Sequence, residues 1–344
     1  MSLDNPEGES TKKSSWTCIL LAVLLLLMAN SLFVANNYGV KTFDIRPAEY
    51  IFLRAPLQVI VCSSISLCQG HKLIPTGASL RFWVCLLSTL WAACVFFATA
   101  GVSMLPINDF VVLVYTNPIC TLVLSALLVK KFPSLIEVFL VLGLLLGITL
   151  IMQPCFLFRG EQQQDATFPY YKLGVGLSLA CALCAGSAYA LIVKCENVPS
   201  MILNMYTGLC SGILTLVLPF LGFENRILSD PGSINLQTWL AMLLLNCIML
   251  AAMQLIFIAN KMASPTLTAT LRSLEIVITM LVEIVAFAHI PNGLKIVGTV
   301  IVVVSISLLP LSERMSDQCN VVRENIQSNR KLSTKDEKNR DIYV

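Results

Sequence analysis

Apolar residues in this chain come in ten long runs between Trp16 and Leu311, separated by short polar segments. Most runs are about 18 to 25 residues long, the length a helix needs to cross roughly 30 Å of hydrocarbon. Within them the polar residues are too few for the water-facing stripe of a soluble amphipathic helix. Backbone amides have no partner in lipid, so such runs are helices. The pattern predicts an all-α polytopic membrane protein with spans at Trp16–Val40, Pro47–Gln69, Ala78–Ala100, Pro106–Val129 and Leu135–Met152. After a polar stretch, Arg159–Tyr171, come Lys172–Val193, Ser200–Gly222, Leu236–Asn260, Pro265–Ala288 and Gly293–Leu311. The tail beyond Ser312 is polar, with too little apolar surface to offset the entropy of ordering, and is expected to be disordered.

Composition agrees. Of 344 residues, 56% are apolar and 12% charged, against about 25% charged in a soluble domain. An even span count puts both ends on one side. Fifteen of the 23 basic residues fall on that side, six fall on the other, and Arg54 and Arg272 lie within spans. Positive charge marks the cytoplasmic side, so both termini are expected there. No cleavable signal peptide is evident, because the first span is too long and lacks a small-residue cleavage site. The bias leaves open whether the membrane is the plasma membrane or an endomembrane.

Reactive chemistry is sparse. Only two histidines occur, His71 and His289, both at span ends, which leaves no zinc cluster and no Ser/His/Asp arrangement. No Gly-rich loop suits a phosphate. Cys181-x-x-Cys184 lies on an apolar span without histidines, where packing is the simpler reading. The +3 net charge includes no basic patch interleaved with aromatics, so nucleic acid is not an expected partner. Nothing implies a catalytic group, a metal or a cofactor.

The spans divide as five, a polar linker, and five. Residues 16–155 form the first half, 156–171 the linker and 172–311 the second half, between an N-tail, 1–15, and a C-tail, 312–344. Five is odd, so the second half is inverted relative to the first. Met104–Pro133 overlays Met262–Pro291 without gaps at an offset of 158, and Asn117 falls on Glu275. Inverted repeats are a common build of secondary transporters, with the solute bound near the midplane.

Polar residues inside the spans sharpen this. On span 9, Ser264, Thr268, Arg272, Glu275 and Thr279 recur at steps of three or four, with Glu283 four further on, so all six share a face. Charges that deep are expensive in lipid, and the stripe should face protein or water. Arg272 and Glu275 read either as internal glue or as the wall of a solute path. Span 4 offers Asn117, Thr121 and Ser125, with Tyr115 and Thr116 beside them. Its Pro118 leaves the carbonyl of residue 114 without an amide, as a solute contact or a simple kink. The expectation is that Thr268, Arg272, Glu275 and Thr279 face Asn117 and Thr121 across a central cavity. Arg54 falls about 10 Å below the outer surface, at 1.5 Å per residue from Pro47. There it either snorkels or attracts an anion, gated by a pair with Asp109 or Glu283. Gly143-x-x-x-Gly147 fits a close helix crossing, within the bundle or between two copies in a homodimer. Ile342-Tyr343-Val344 has the pattern of a PDZ ligand, and Val344 would supply the carboxylate.

These features resemble a known family. The near-surface proline, polar span 4 and short basic turn within Ala100–Lys131 are similar to the EamA-type repeat. So is Leu274–Glu275 on span 9, where many members have Leu-Glu-Pro. The chain thus resembles the drug/metabolite transporter superfamily. Gln153-Pro-Cys-Phe-Leu-Phe158 and Ala269-Thr-Leu-Arg-Ser-Leu-Glu-Ile276 are most similar to solute carrier family 35, subgroup G, and Arg54 stands where such proteins often have an arginine. The resemblance implies ten helices and alternating access. Its members carry nucleotide sugars, organic anions, amino acids or drugs. Here Ile276 replaces the proline, so nothing local requires span 9 to bend. The reading that follows is a secondary transporter of a small polar, anionic organic solute. The alternative is a non-transporting adaptor that acts through its C-tail and needs no polar cavity.

Overall fold

A computed structural model describes residues 16–43, 45–129, 133–158, 170–216, 234–287 and 292–312, with the isolated residues 227 and 232. The two tails, most of the linker, and the Val344 end with its PDZ-like pattern lie outside the described residues. What is described is helical. The first half contains α1 (Trp16–Thr42), α2 (Pro47–Cys68), α3 (Ala78–Met104), α4 (Ile107–Val114), α5 (Asn117–Val129) and α6 (Leu135–Met152). A short α7 (Cys155–Phe158) precedes the second half. There follow α8 (Tyr171–Leu191), α9 (Ser200–Thr215), α10 (Leu236–Met262), α11 (Pro265–Arg272), α12 (Leu274–Phe287) and α13 (Gly293–Ser312). Nine spans among the described residues are long and apolar enough to cross a membrane. The remaining one, span 7, is described only over the 16 residues of α9.

Among the described residues, two of the spans are broken. Span 4 divides into α4 and α5 at Tyr115–Thr116. Pro118 supplies no amide to the preceding turn, and the chain tightens: the amide of Thr116 donates to the Leu113 carbonyl, and that of Ile119 to Thr116. Span 9 divides into α11 and α12 at Ser273 although it has no proline there. The amide of Ser273 donates to Thr270 and that of Ile276 to Ser273, again the tighter spacing. Charge accounts for the second break. Arg272 occupies the last turn of α11 and Glu275 the first turn of α12. Each charge complements the helix end it sits on. The offset of 158 carries Tyr115 onto Ser273, so the breaks are equivalent points of the two halves.

The packing has the same two-fold logic. α3 lies along α8 and α1 along α10, which are the same pairing with the halves exchanged. α2 lies against α9, its own counterpart. α5 rests on α8 as α12 rests on α1. Large apolar side chains such as Ile60, Phe139 and Val285 cover the outside, the lipid-facing surface of a multi-pass membrane protein. In the core, among buried Leu, Ile, Val and Ala, Trp91 of α3 packs edge-on against Tyr189 of α8 and Phe257 of α10, with ring centroids 5.1 Å and 6.1 Å away.

Glycine sets the closest approaches. Gly147 of α6 meets Gly298 of α13, where a Cβ on Gly298 would stand 2.6 Å from the Gly147 carbonyl oxygen. The Gly143-x-x-x-Gly147 face is therefore filled by a helix of the same chain. On Gly186 of α8 a Cβ would lie 2.9 Å from the Asn117 carbonyl oxygen. Neither backbone atom can yield, so Gly298→Ala should cost about 1–3 kcal/mol by overpacking. A thermal melt of the purified protein checks this. A clear fall in Tm is expected for Gly298→Ala and none for Gly176→Ala, which has open space around it.

Candidate functional site

The break in span 9 places a guanidinium and a carboxylate side by side in the middle of the bundle. The Arg272 guanidinium donates to Glu275 Oε2 at 2.8 Å, and the two side chains are only 12% and 13% exposed. Neither is left to the other alone. Arg272 also donates to Asn30 Oδ1 and to the Tyr189 hydroxyl, and it lies 4.0 Å over the Phe33 ring. Asn30 in turn donates to the Leu271 carbonyl at 2.9 Å, which satisfies one of the free carbonyls ending α11. Glu275 accepts from Asn37 Nδ2 at Oε1 and from the Tyr115 hydroxyl at Oε2, each at 3.0 Å. Both halves of the chain thus converge on one ion pair: α1 and the α4–α5 break from the first, α8 and the α11–α12 break from the second. Three donors to the carboxylate and three acceptors for the guanidinium offset much of the desolvation that would make a bare buried pair unfavourable.

Glu275 is the floor of a cavity of about 310 Å³. Asn37, Asn108, Tyr115, Thr279 and Lys295 supply its other principal polar groups. Its apolar walls include Val34, Val111, Ile151, Met152, Ile276 and Met280. These residues come from the end of α1, α4 and the break after it, the end of α6, the first half of α12 and the start of α13. The cavity accordingly runs from the two breaks toward the face of the bundle where the linker begins. On the other side of the ion pair the space is filled. Leu267, Thr268 and Ala269 of α11 are buried, as is Phe257 against Trp91.

The residues singled out from the sequence separate into three groups. Tyr115, Glu275 and Thr279 line the cavity, with Arg272 directly behind Glu275. Asn117, Thr121 and Thr268 do not reach it. Thr121 Oγ1 donates to the Asn117 carbonyl at 2.9 Å and to that of Gly186 at 3.3 Å, so this face of α5 is pressed on α8. Thr268 donates to the Ser264 carbonyl within its own helix. The reason is the break itself. A straight helix would keep Thr268 and Thr279 on one face, and the interruption at Ser273 separates them.

Of the outer gate expected from Arg54 with Asp109 or Glu283, the Arg54–Asp109 pair is not formed. Asp109 is buried and accepts from the Cys155 amide and, at 2.9 Å, from the Tyr171 hydroxyl. It ties the start of α4 to the linker ends instead. The Glu283 side chain lies outside the described residues. Arg54 is buried off the cavity, near Tyr50 and Cys94. Among the described residues it has no ion-pair partner. Cys94 also lies within electrostatic reach of Arg272.

Sequence reasoning missed Asn30, Asn37, Tyr189 and Lys295. The two asparagines lie seven apart, two helical turns, on one face of a strongly apolar stretch, a signal that was available. Tyr189 looks like any core tyrosine in sequence. Lys295 reads as a loop charge.

The pair makes a stability prediction. Glu275→Ala leaves Arg272 buried without its counter-charge and should cost about 3–5 kcal/mol. Glu275→Gln fills the same volume and keeps one acceptor oxygen, for Arg272 and Tyr115, and should cost clearly less. Denaturation of the two variants in detergent measures this, and equal losses would contradict the coupling.

The sequence profile of the EamA-like transporter family matches residues 16–153 and again 172–310. No curated protein matches. Among solved structures, a chain described only as "Crystal structure of protein" superposes with a TM-score of 0.67 at 18% identity. The match covers 86% of this chain and 98% of that one, and at that identity the likeness concerns the fold alone.

Proposed function

We propose that this chain, which belongs to the EamA-like transporter family, carries a small, polar, anionic organic solute across its membrane by alternating access. The observation that supports the reading most is the cavity that reaches one face of the bundle and stops at Arg272–Glu275. A floor built from both inverted halves is the element that must rearrange when access switches sides. Its two half-helix ends, α11 and α12, need to move only relative to each other, because the backbone is already interrupted between them. An adaptor that merely kept the fold would have no use for three donors gathered on a carboxylate beneath a cavity.

The charge of the solute follows from the cations. Glu275 neutralises Arg272, and Arg54 has no ion-pair partner among the described residues. A buried cation of this kind is costly unless an anion visits it. In this reading Arg54 meets the solute's carboxylate or phosphate after the floor has opened.

Uptake of a panel of labelled organic anions into proteoliposomes tests the reading. Glu275→Gln should lower uptake at least about tenfold at matched protein, the loss of one interaction between charged groups. Arg54→Ala should do likewise, and Arg54→Lys should restore part of it, because lysine keeps the charge without the planar fork. Unchanged uptake in both Glu275→Gln and Arg54→Ala would contradict the proposal.

A further inference from the structure

The cavity restricts the solute more narrowly than its sign. Resting on the transport reading above, we infer that the solute is a compact organic monoanion with one acidic group and an apolar body, and that Lys295 is the residue that reads its charge.

Three observations carry this. The first is size. About 310 Å³ lies at the low end of the roughly 300–1,000 Å³ of small-molecule sites. It suits a small acid and is too little for a solute with a base, a ribose, a diphosphate and a sugar. The second is charge. Among the described residues, the ionised groups that line the cavity are Glu275 and Lys295. Glu275 is already paired with Arg272 at 2.8 Å, and its remaining contacts are the neutral donors Asn37 and Tyr115. Lys295 makes no ion pair among the described residues. Its backbone amide donates to Asn292 Oδ1 at 3.0 Å, which fixes the first turn of α13, and Lys295 lines the cavity. Among the described residues, the uncompensated charge of the lining is therefore a single positive one. A dianion or trianion would leave at least one negative charge unanswered among apolar walls, which is costly.

The third observation is the distribution of polarity. Lys295 stands two residues into α13, at the face of the bundle, and Glu275 stands at the start of α12. Phe287, twelve residues further along α12, is about 18 Å from Glu275 at 1.5 Å per residue. Between mouth and floor the walls are largely aliphatic and thioether: Val111, Ile151, Met152, Ile276 and Met280. Methionine adapts to bodies of differing shape. A solute enters with its apolar part in this sleeve and its acid against Lys295, a charge-assisted contact in a partly dehydrated site.

Thermal melts of the purified full-length protein test this, with 3-phenylpropanoate as the monoanion, 3-phenylpropanamide as its neutral isostere, and citrate and UDP-glucose as polyanions. The monoanion is expected to raise Tm by about 2–4 °C at saturation. The amide and both polyanions should raise it far less. Lys295→Gln should abolish the shift and Lys295→Arg should retain it, and a normal ligand-free Tm for both shows that folding is intact. An equal shift with the amide, an undiminished shift in Lys295→Gln, a larger shift with citrate or UDP-glucose, or no shift with the monoanion would each overturn the inference. The transport reading is separated by proteoliposome flux. Uptake of a polyanion in place of the monoanion would leave that reading standing and remove this one. Binding of 3-phenylpropanoate through Lys295 without any flux would do the reverse.

Discussion

Arg272 and Glu275 hold opposite charges at a depth where neither could remain alone. Their attraction is only part of the reason they persist. Asn30 and Asn37 of α1, Tyr115 at the α4–α5 break and Tyr189 of α8 complete the hydrogen bonding. The pair also suits the backbone around it. A positive side chain closes α11 and a negative one opens α12, so the field of each half-helix favours the charge at its end. The break, the ion pair and the convergence of both halves are thus one arrangement. Remove the carboxylate, and an isolated guanidinium faces Phe33 and the apolar core.

The inverted repeat explains why such a point exists. Exchange of the halves maps α1–α10 onto α3–α8 and the Tyr115 break onto the Ser273 break. The two breaks meet at the cavity floor but are chemically unlike. The first is produced by Pro118 and is neutral, and the second is produced by charge. Tyr115, at the neutral break, donates to Glu275, at the charged one. One half therefore supplies the ion pair and the other the contact that senses it. Glycine allows the elements around this centre to approach closely: Gly186 admits the first turn of α5, and Gly147 and Gly298 bring α6 and α13 together at the cavity's edge.

Much of this was legible in the sequence, for a physical reason. Lipid forbids unpaired amides, so span length and number follow from apolar runs, and an odd number of spans per half dictates inversion. Glu275, Arg272 and Tyr115 stood out because polar groups are rare in such runs. The partners were harder to read. Arg54 and Asp109 share a depth, and depth alone suggested a pair. Yet Asp109 is turned toward the linker by Cys155 and Tyr171, contacts that depend on tertiary packing. Thr268 shares a helical face with Thr279 only if the helix is straight. The Ser273 break removes that premise, and it comes from charge on helix ends with no proline to announce it. Asn117 and Thr121 carry polar groups that serve α5 and α8 rather than the cavity.

Accessibility on either side of the ion pair is the most direct measurement. In a cysteine-free background, Thr279→Cys lies above the floor and Thr268→Cys below it. A membrane-impermeant maleimide added from the cavity's open face should label position 279 and leave position 268 unreacted. During solute-driven cycling, position 268 should become reactive from the opposite face. Equal labelling of both positions from one face, or no labelling of 279, would contradict a path that stops at Arg272–Glu275.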